Sequence, residues 1–101
     1  MEIKLAQEKT DELIKTYGGY WEPLSMYTRL VEEVGELGRA MNIKFGQKKS
    51  KFIGEGENIN EELADVMFTT LALSNKLNID LDTEFTAKLN KDFIKCKEVY
   101  K

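Results

Sequence analysis

An all-α fold is what this sequence predicts: a bundle of about four helices that assembles into an oligomeric helical bundle. Three observations lead there. Apolar residues recur three and four positions apart, the spacing that places them on one helix face; in the second stretch they are Leu30, Val34, Leu37 and Met41. No stretch alternates apolar and polar residues between hairpin turn signals, as a half-buried strand would. Tyr27, Val31, Phe52, Phe68 and Leu71 lie off the main stripes. They need cover, either from a symmetric second copy or from the first and fourth helices of the same chain.

The first helix is expected over residues 5–17, where Leu5, Leu13 and Ile14 stand among charged residues and Gly18-Gly19 stops the run. Pro23 suits the first turn of a second helix, whose leading N–H groups have no intrahelical acceptor. That helix runs over residues 23–45 and ends before Gly46. Gly35 and Gly38 within it cost helix propensity, about 1 kcal/mol each against alanine, and point to close approach by another backbone or a ligand. Residues 47–57 hold Lys48, Lys49, Lys51, Gly54 and Gly56 and read as a loop. Asn58 caps a third helix, with Glu61 three positions on in the manner of a capping box. It reaches about Leu77, and Leu63, Val66, Thr70 and Leu77 form its stripe. Asn78-Ile79-Asp80 is the next connection, and Asp80 caps a fourth helix that reaches about Tyr100.

The chain has 101 residues and reads as a single domain, large enough to bury roughly two-thirds of its unfolded surface. Its hydrophobic content of 42% and charged content of 33% are those of a globular protein rather than a disordered one. A net charge of −3 offers no basic face for nucleic acid. No run approaches the ~20 apolar residues that span a bilayer, so no membrane partner is expected. The first residues lack the apolar run of a signal peptide, and the lone Cys96 fits a reducing compartment. The expected location is the cytoplasm.

Five carboxylates carry the chemistry. Glu32, Glu33 and Glu36 form one cluster and Glu62 and Asp65 a second, each containing an i, i+3 pair on one helix face. Packing the two helices together gathers at least four negative groups in a partly dry space. There they repel and raise one another's pKa values unless a cation neutralises them. An all-oxygen set suits Mg²⁺, with Mn²⁺ able to substitute. No lysine or arginine stands four residues beyond Glu33, Glu36 or Glu62, where Leu37, Ala40 and Val66 are found. A solvated helix face is the ordinary fate of such glutamates; the repetition of the pattern on two helices is what favours a site. The competing reading is a non-catalytic helical interaction module with solvated acidic faces.

Other chemistries are excluded or weaker. There is no histidine, which removes Ser-His-Asp catalysis and argues against a catalytic zinc site or Glu-x-x-His di-iron ligation. Asp80-x-Asp82-x-Glu84 mimics the start of a calcium loop, yet Phe85 replaces the required glycine and Lys91 the bidentate glutamate. No phosphate-binding Gly-x-x-x-x-Gly-Lys-Ser/Thr loop exists. Lys48 and Lys51 are candidates to close on a polyphosphate, and Lys88 and Asn90 to reach phosphate or base. Tyr20, Trp21 and Tyr27 offer rings for stacking on a base, although packing is the commoner use of aromatics.

Glu32-Glu33-x-x-Glu36, twenty-five residues and then Glu62-x-x-Asp65 resembles the signature of the all-α, MazG-like nucleoside triphosphate pyrophosphohydrolases. Pro23-Leu24-x-Met26, Arg29-Leu30, Gly35-Glu36-Leu37, Glu61 to Val66, Asn78-Ile79-Asp80-Leu81 and Lys88-x-Asn90 extend the likeness, from about Tyr20 to Asn90. The resemblance implies a helical bundle that forms a homodimer or homotetramer. It implies that Glu33, Glu36, Glu62 and Asp65 hold Mg²⁺, while Glu32, with Glu33, orients or deprotonates the attacking water. The implied reaction cleaves a nucleoside triphosphate between the α- and β-phosphates into a monophosphate and pyrophosphate. Members of the family often carry arginines after the Lys-x-Asn pair. Asp92, Phe93, Ile94 and Lys95 follow here, leaving Lys91 or Lys95 as substitutes.

Overall fold

Helix ends in this chain are set by local chemistry. In the computed structural model, which describes residues 1–46 and 58–100, four helices occupy the described residues. They are α1 (Ile3–Thr16), α2 (Pro23–Phe45), α3 (Ile59–Lys76) and α4 (Leu81–Val99). Pro23 opens α2 as expected. Asn58 Oδ1 accepts the Glu61 amide at 3.0 Å, and Asp80 Oδ1 accepts the Thr83 amide at 3.2 Å. The Glu61 carboxylate accepts from the Asn58 side-chain amide rather than its backbone N–H, so the capping box is half-formed. α1 closes at Gly18 and Gly19, both at positive φ, with the Gly19 amide bonded back to the Ile14 carbonyl at 2.8 Å. Asn78 (φ 57°) closes α3 in the same way, the Ile79 amide reaching the Ser74 carbonyl at 2.9 Å. The predicted loop over residues 47–57, with Phe52, lies outside the described residues.

α2 and α3 form the principal packed pair, α1 crosses α3, and α4 leans on α1. The seam of α2 runs Met26, Leu30, Glu33, Leu37, Ala40, a 4-3-4-3 spacing of buried and half-buried residues. This corrects the expected stripe: Val34 is 50% exposed, and Met41 is likewise open. The reason is Glu33, only 3% exposed. A glutamate occupies a core position, so a stripe traced through apolar residues alone is rotated away from the true seam. On α3 the facing residues are Glu62, Asp65, Val66, Thr69 and Ala72, and Leu63 turns outward instead. Leu71 is buried within the chain and needs no second copy, whereas Tyr27, Val31 and Phe68 remain exposed. Gly35 and Gly38 are not needed for a close approach among the described residues: a Cβ on either meets none of them within 4 Å.

A buried glutamine ties α1 to the α3–α4 corner. The Gln7 side-chain amide lies 2.8 Å from Ser74 Oγ and 2.9 Å from the Ile79 carbonyl, and its Oε1 accepts the Leu81 amide at 3.1 Å. The Asn75 side chain donates to the Gln7 carbonyl at 2.9 Å, and the Ser74 hydroxyl donates to the Leu71 carbonyl at 2.6 Å. A polar group in a core is tolerated when its bonds are made, and those of Gln7 are.

A candidate metal centre beside an aromatic cleft

The rotation of α2 that buries Glu33 aims it at Glu62 and Asp65 on α3. One carboxylate oxygen from each of the three lies within 4.8 Å of the others. Glu33 Oε2 and Glu62 Oε2 are buried and have no hydrogen-bond partner. Two orphaned, buried oxygens within one cluster of carboxylates are costly without a cation nearby. Burial, first, and then nearby carboxylates raise Glu33 and Glu62 above the ordinary glutamate range. Glu36 and Asp65 contribute to both, and Arg29 opposes the shift at Glu33. The donor set is wholly oxygen and fits a hard divalent ion.

Glu36 is close enough to press on both glutamates but is exposed and stands outside the tight trio. Glu32 is also exposed, its Oε2 3.3 Å from Arg29 Nη1. Arg29 Nη2 lies 2.6 Å from Glu33 Oε1. The expectation of carboxylates without a cationic partner therefore fails at Glu33. The pairing runs backwards along the helix, from i to i−4, and Arg29 was legible in the sequence in that direction.

Beside the trio opens a cleft of about 430 Å³, lined by Arg29, Glu33, Glu36 and Asp65 together with Ile14, Tyr20, Trp21 and Phe68. Its size is that of a small-ligand site. Its lining combines carboxylates with aromatic rings. Lys88 and Asn90 do not line it. They are exposed on α4, where Lys88 Nζ pairs with Asp92 Oδ2 at 2.7 Å. Lys48 and Lys51 lie outside the described residues. Among the described residues, no helix is long and apolar enough to cross a membrane.

Four helices among the described residues, with a carboxylate trio beside a cleft of small-ligand size, define a class of protein. Residues 21–99 match the MazG nucleotide pyrophosphohydrolase domain, and the chain belongs to that family. It is 38% identical over 81 residues to the uncharacterised protein YpjD of Bacillus subtilis (strain 168), covering 79% of this chain and 73% of the relative. Its fold superposes on the crystal structure of the Bacillus-conserved MazG protein, described as a nucleotide pyrophosphohydrolase. The TM-score is 0.76 at 38% identity, over 90% of this chain and 88% of that one. The crystal structure of YpjD from Bacillus subtilis gives 0.79 at 35% identity, over 90% and 94%.

Proposed function

We propose that this chain hydrolyses nucleoside triphosphates, canonical or non-canonical, to the monophosphate and pyrophosphate in the presence of Mg²⁺ or Mn²⁺. Its setting would be the cytoplasmic nucleotide pool. The observation that carries the proposal is the pair of orphaned buried oxygens, Glu33 Oε2 and Glu62 Oε2, in a carboxylate trio beside a cleft lined in part by aromatic rings. Glu33, Glu62 and Asp65 hold the ion, with Glu36 completing the set from the rim. When bound, the ion supplies charge compensation for the triphosphate and acidifies water. Arg29 fixes Glu33 through Oε1 and leaves Oε2 directed at the centre. Glu32, held at the rim by the same arginine, orients or deprotonates the attacking water with Glu33. Trp21, Tyr20 and Phe68 receive the base.

Lys88 and Asn90, which do not line the cleft of their own chain, would serve as phosphate contacts from a second copy. Lys48 and Lys51 are the other phosphate candidates. The reading as a homodimer or homotetramer is supported by α4, which has no buried residue and exposes Phe85, Leu89, Phe93 and Ile94. Incubation with nucleoside triphosphates and Mg²⁺, followed by product separation, tests the reaction. A monophosphate and pyrophosphate are expected; a diphosphate and orthophosphate overturn the proposed bond cleavage. Glu62→Gln and Asp65→Asn should each weaken Mn²⁺ binding and lower turnover by orders of magnitude.

A further inference from the structure

Asp11 and Tyr20 lie ahead of the residues matched to the family domain, yet Tyr20 walls the cleft. The Tyr20 hydroxyl donates to Asp11 Oδ1 at 2.5 Å. Asn75, which opposes the upward shift of the phenol, donates to the Gln7 carbonyl at 2.9 Å and so belongs to the buried knot between α1 and α3. Neither Asp11 nor Asn75 lines the cleft. The polar end of Tyr20 is therefore spent outside the cleft, and the ring is what the cleft is offered. Gly18 (φ 116°) and Gly19 (φ 84°) reverse the chain so that Tyr20 comes back against α1. Hydrogen bonding to Tyr20 holds Asp11 below the usual carboxylate range, while burial and Asp11 push the phenol up to about 12. The pair thus keeps one arrangement, carboxylate and phenol, across neutral pH.

The geometry points to Asp11 as the positioning residue that fixes the Tyr20 ring as a stacking wall for the base of a bound nucleotide. This rests on the reading of the cleft as a nucleotide site. A ring held at its hydroxyl loses its rotational freedom before the ligand arrives, and preorganisation of that kind lowers the cost of binding. It acts on ground state and transition state alike, so the effect falls on KM and leaves kcat.

Trp21 is the one tryptophan of the chain and lines the same cleft, so its fluorescence reports occupancy. The test titrates nucleoside monophosphates in Mg²⁺ against Trp21 emission and measures KM and kcat for the triphosphates. Wild type is compared with Asp11→Ala, Asp11→Asn, Tyr20→Phe and Lys15→Met. Asp11→Ala and Tyr20→Phe are expected to raise Kd and KM roughly fivefold, the cost of ordering about one side chain on binding, with kcat within about twofold. Asp11→Asn keeps an oxygen that accepts from the phenol and should stay near wild type. Lys15→Met removes the 3.0 Å ion pair to Asp11 and should change nothing. An unchanged KM in Tyr20→Phe overturns the inference, as does Asp11→Asn impaired as badly as Asp11→Ala. So does a Lys15→Met that reproduces the defect. Tyr20→Phe removes one oxygen and carries the test if Asp11→Ala does not fold. A wild type whose Trp21 emission answers to no nucleotide overturns the function proposed for the cleft itself, and this inference with it.

Discussion

Glu33 divides its two oxygens between opposing surroundings, Oε1 against Arg29 at 2.6 Å and Oε2 in an unpartnered, buried position facing Glu62 and Asp65. Glu33 and Glu62 are both raised from 4.5 by burial and by like charges. The metal-free folded state thus keeps protons that the unfolded chain has lost. By linkage its stability declines as pH rises from 4.5 through those raised values. Asp11 and Asp80 are shifted the other way, below 3.8, and leave that window clear. In EDTA the melting temperature should fall as pH rises above 4.5, and Mg²⁺ should restore it at neutral pH. A flat or rising profile in EDTA would refute the strained carboxylate centre. Arg29→Met leaves Glu33 buried and unpaired. Because the guanidinium is about half exposed, the cost is put at about 1–2 kcal/mol, below that of breaking a fully buried pair. Urea unfolding of the metal-free protein at neutral pH measures it.

At the level of the helices, function depends on how α1 and the α3–α4 corner are joined. Gln7 is the joint, bonded to Ser74, Ile79 and Leu81 and accepting at its carbonyl from Asn75. Gln7→Ala strands several buried partners at once and should cost about 2–3 kcal/mol, more than the loss of one neutral hydrogen bond. Asn58→Ala removes the single cap of α3 and should cost about 1 kcal/mol. Equilibrium unfolding in urea compares the two, and a Gln7→Ala no worse than the cap variant would refute the joint. The helix limits were nearly all legible in the sequence, since Pro23, Asn58, Gly18-Gly19, Asn78 and Asp80 act over one turn. The Gln7 joint was not, because its partners stand 67 or more residues away.

For the whole molecule, the radius of gyration is 16.9 Å, against about 13 Å for a compact domain of this length. The excess comes from an open arrangement in which α4 buries no residue, and Tyr27, Val31, Val34, Leu63 and Phe93 stay exposed. Apolar surface spread over two helix pairs is more than a small monomer ordinarily carries. Light scattering at micromolar concentration should therefore give a multiple of the 11.6 kDa chain mass. A single-chain mass with full activity would refute the assembly and, with it, the supply of Lys88 and Asn90 from a second copy.

By itself the sequence determined the four helices, the acid pairs at Glu33–Glu36 and Glu62–Asp65, and the absence of histidine chemistry. Each of these follows from interactions within about one turn of helix or from composition. Tertiary structure alone decided which face of α2 became core, placing Glu33 rather than Val34 on the seam. It also closed the trio to within 4.8 Å while leaving Glu36 at the rim, and set Tyr20 against Asp11 at the wall of the cleft. Several rotations of an amphipathic helix satisfy the same local spacing. Only packing against the neighbouring helices selects among them, and here it buried a carboxylate that a tracing of apolar residues passes over.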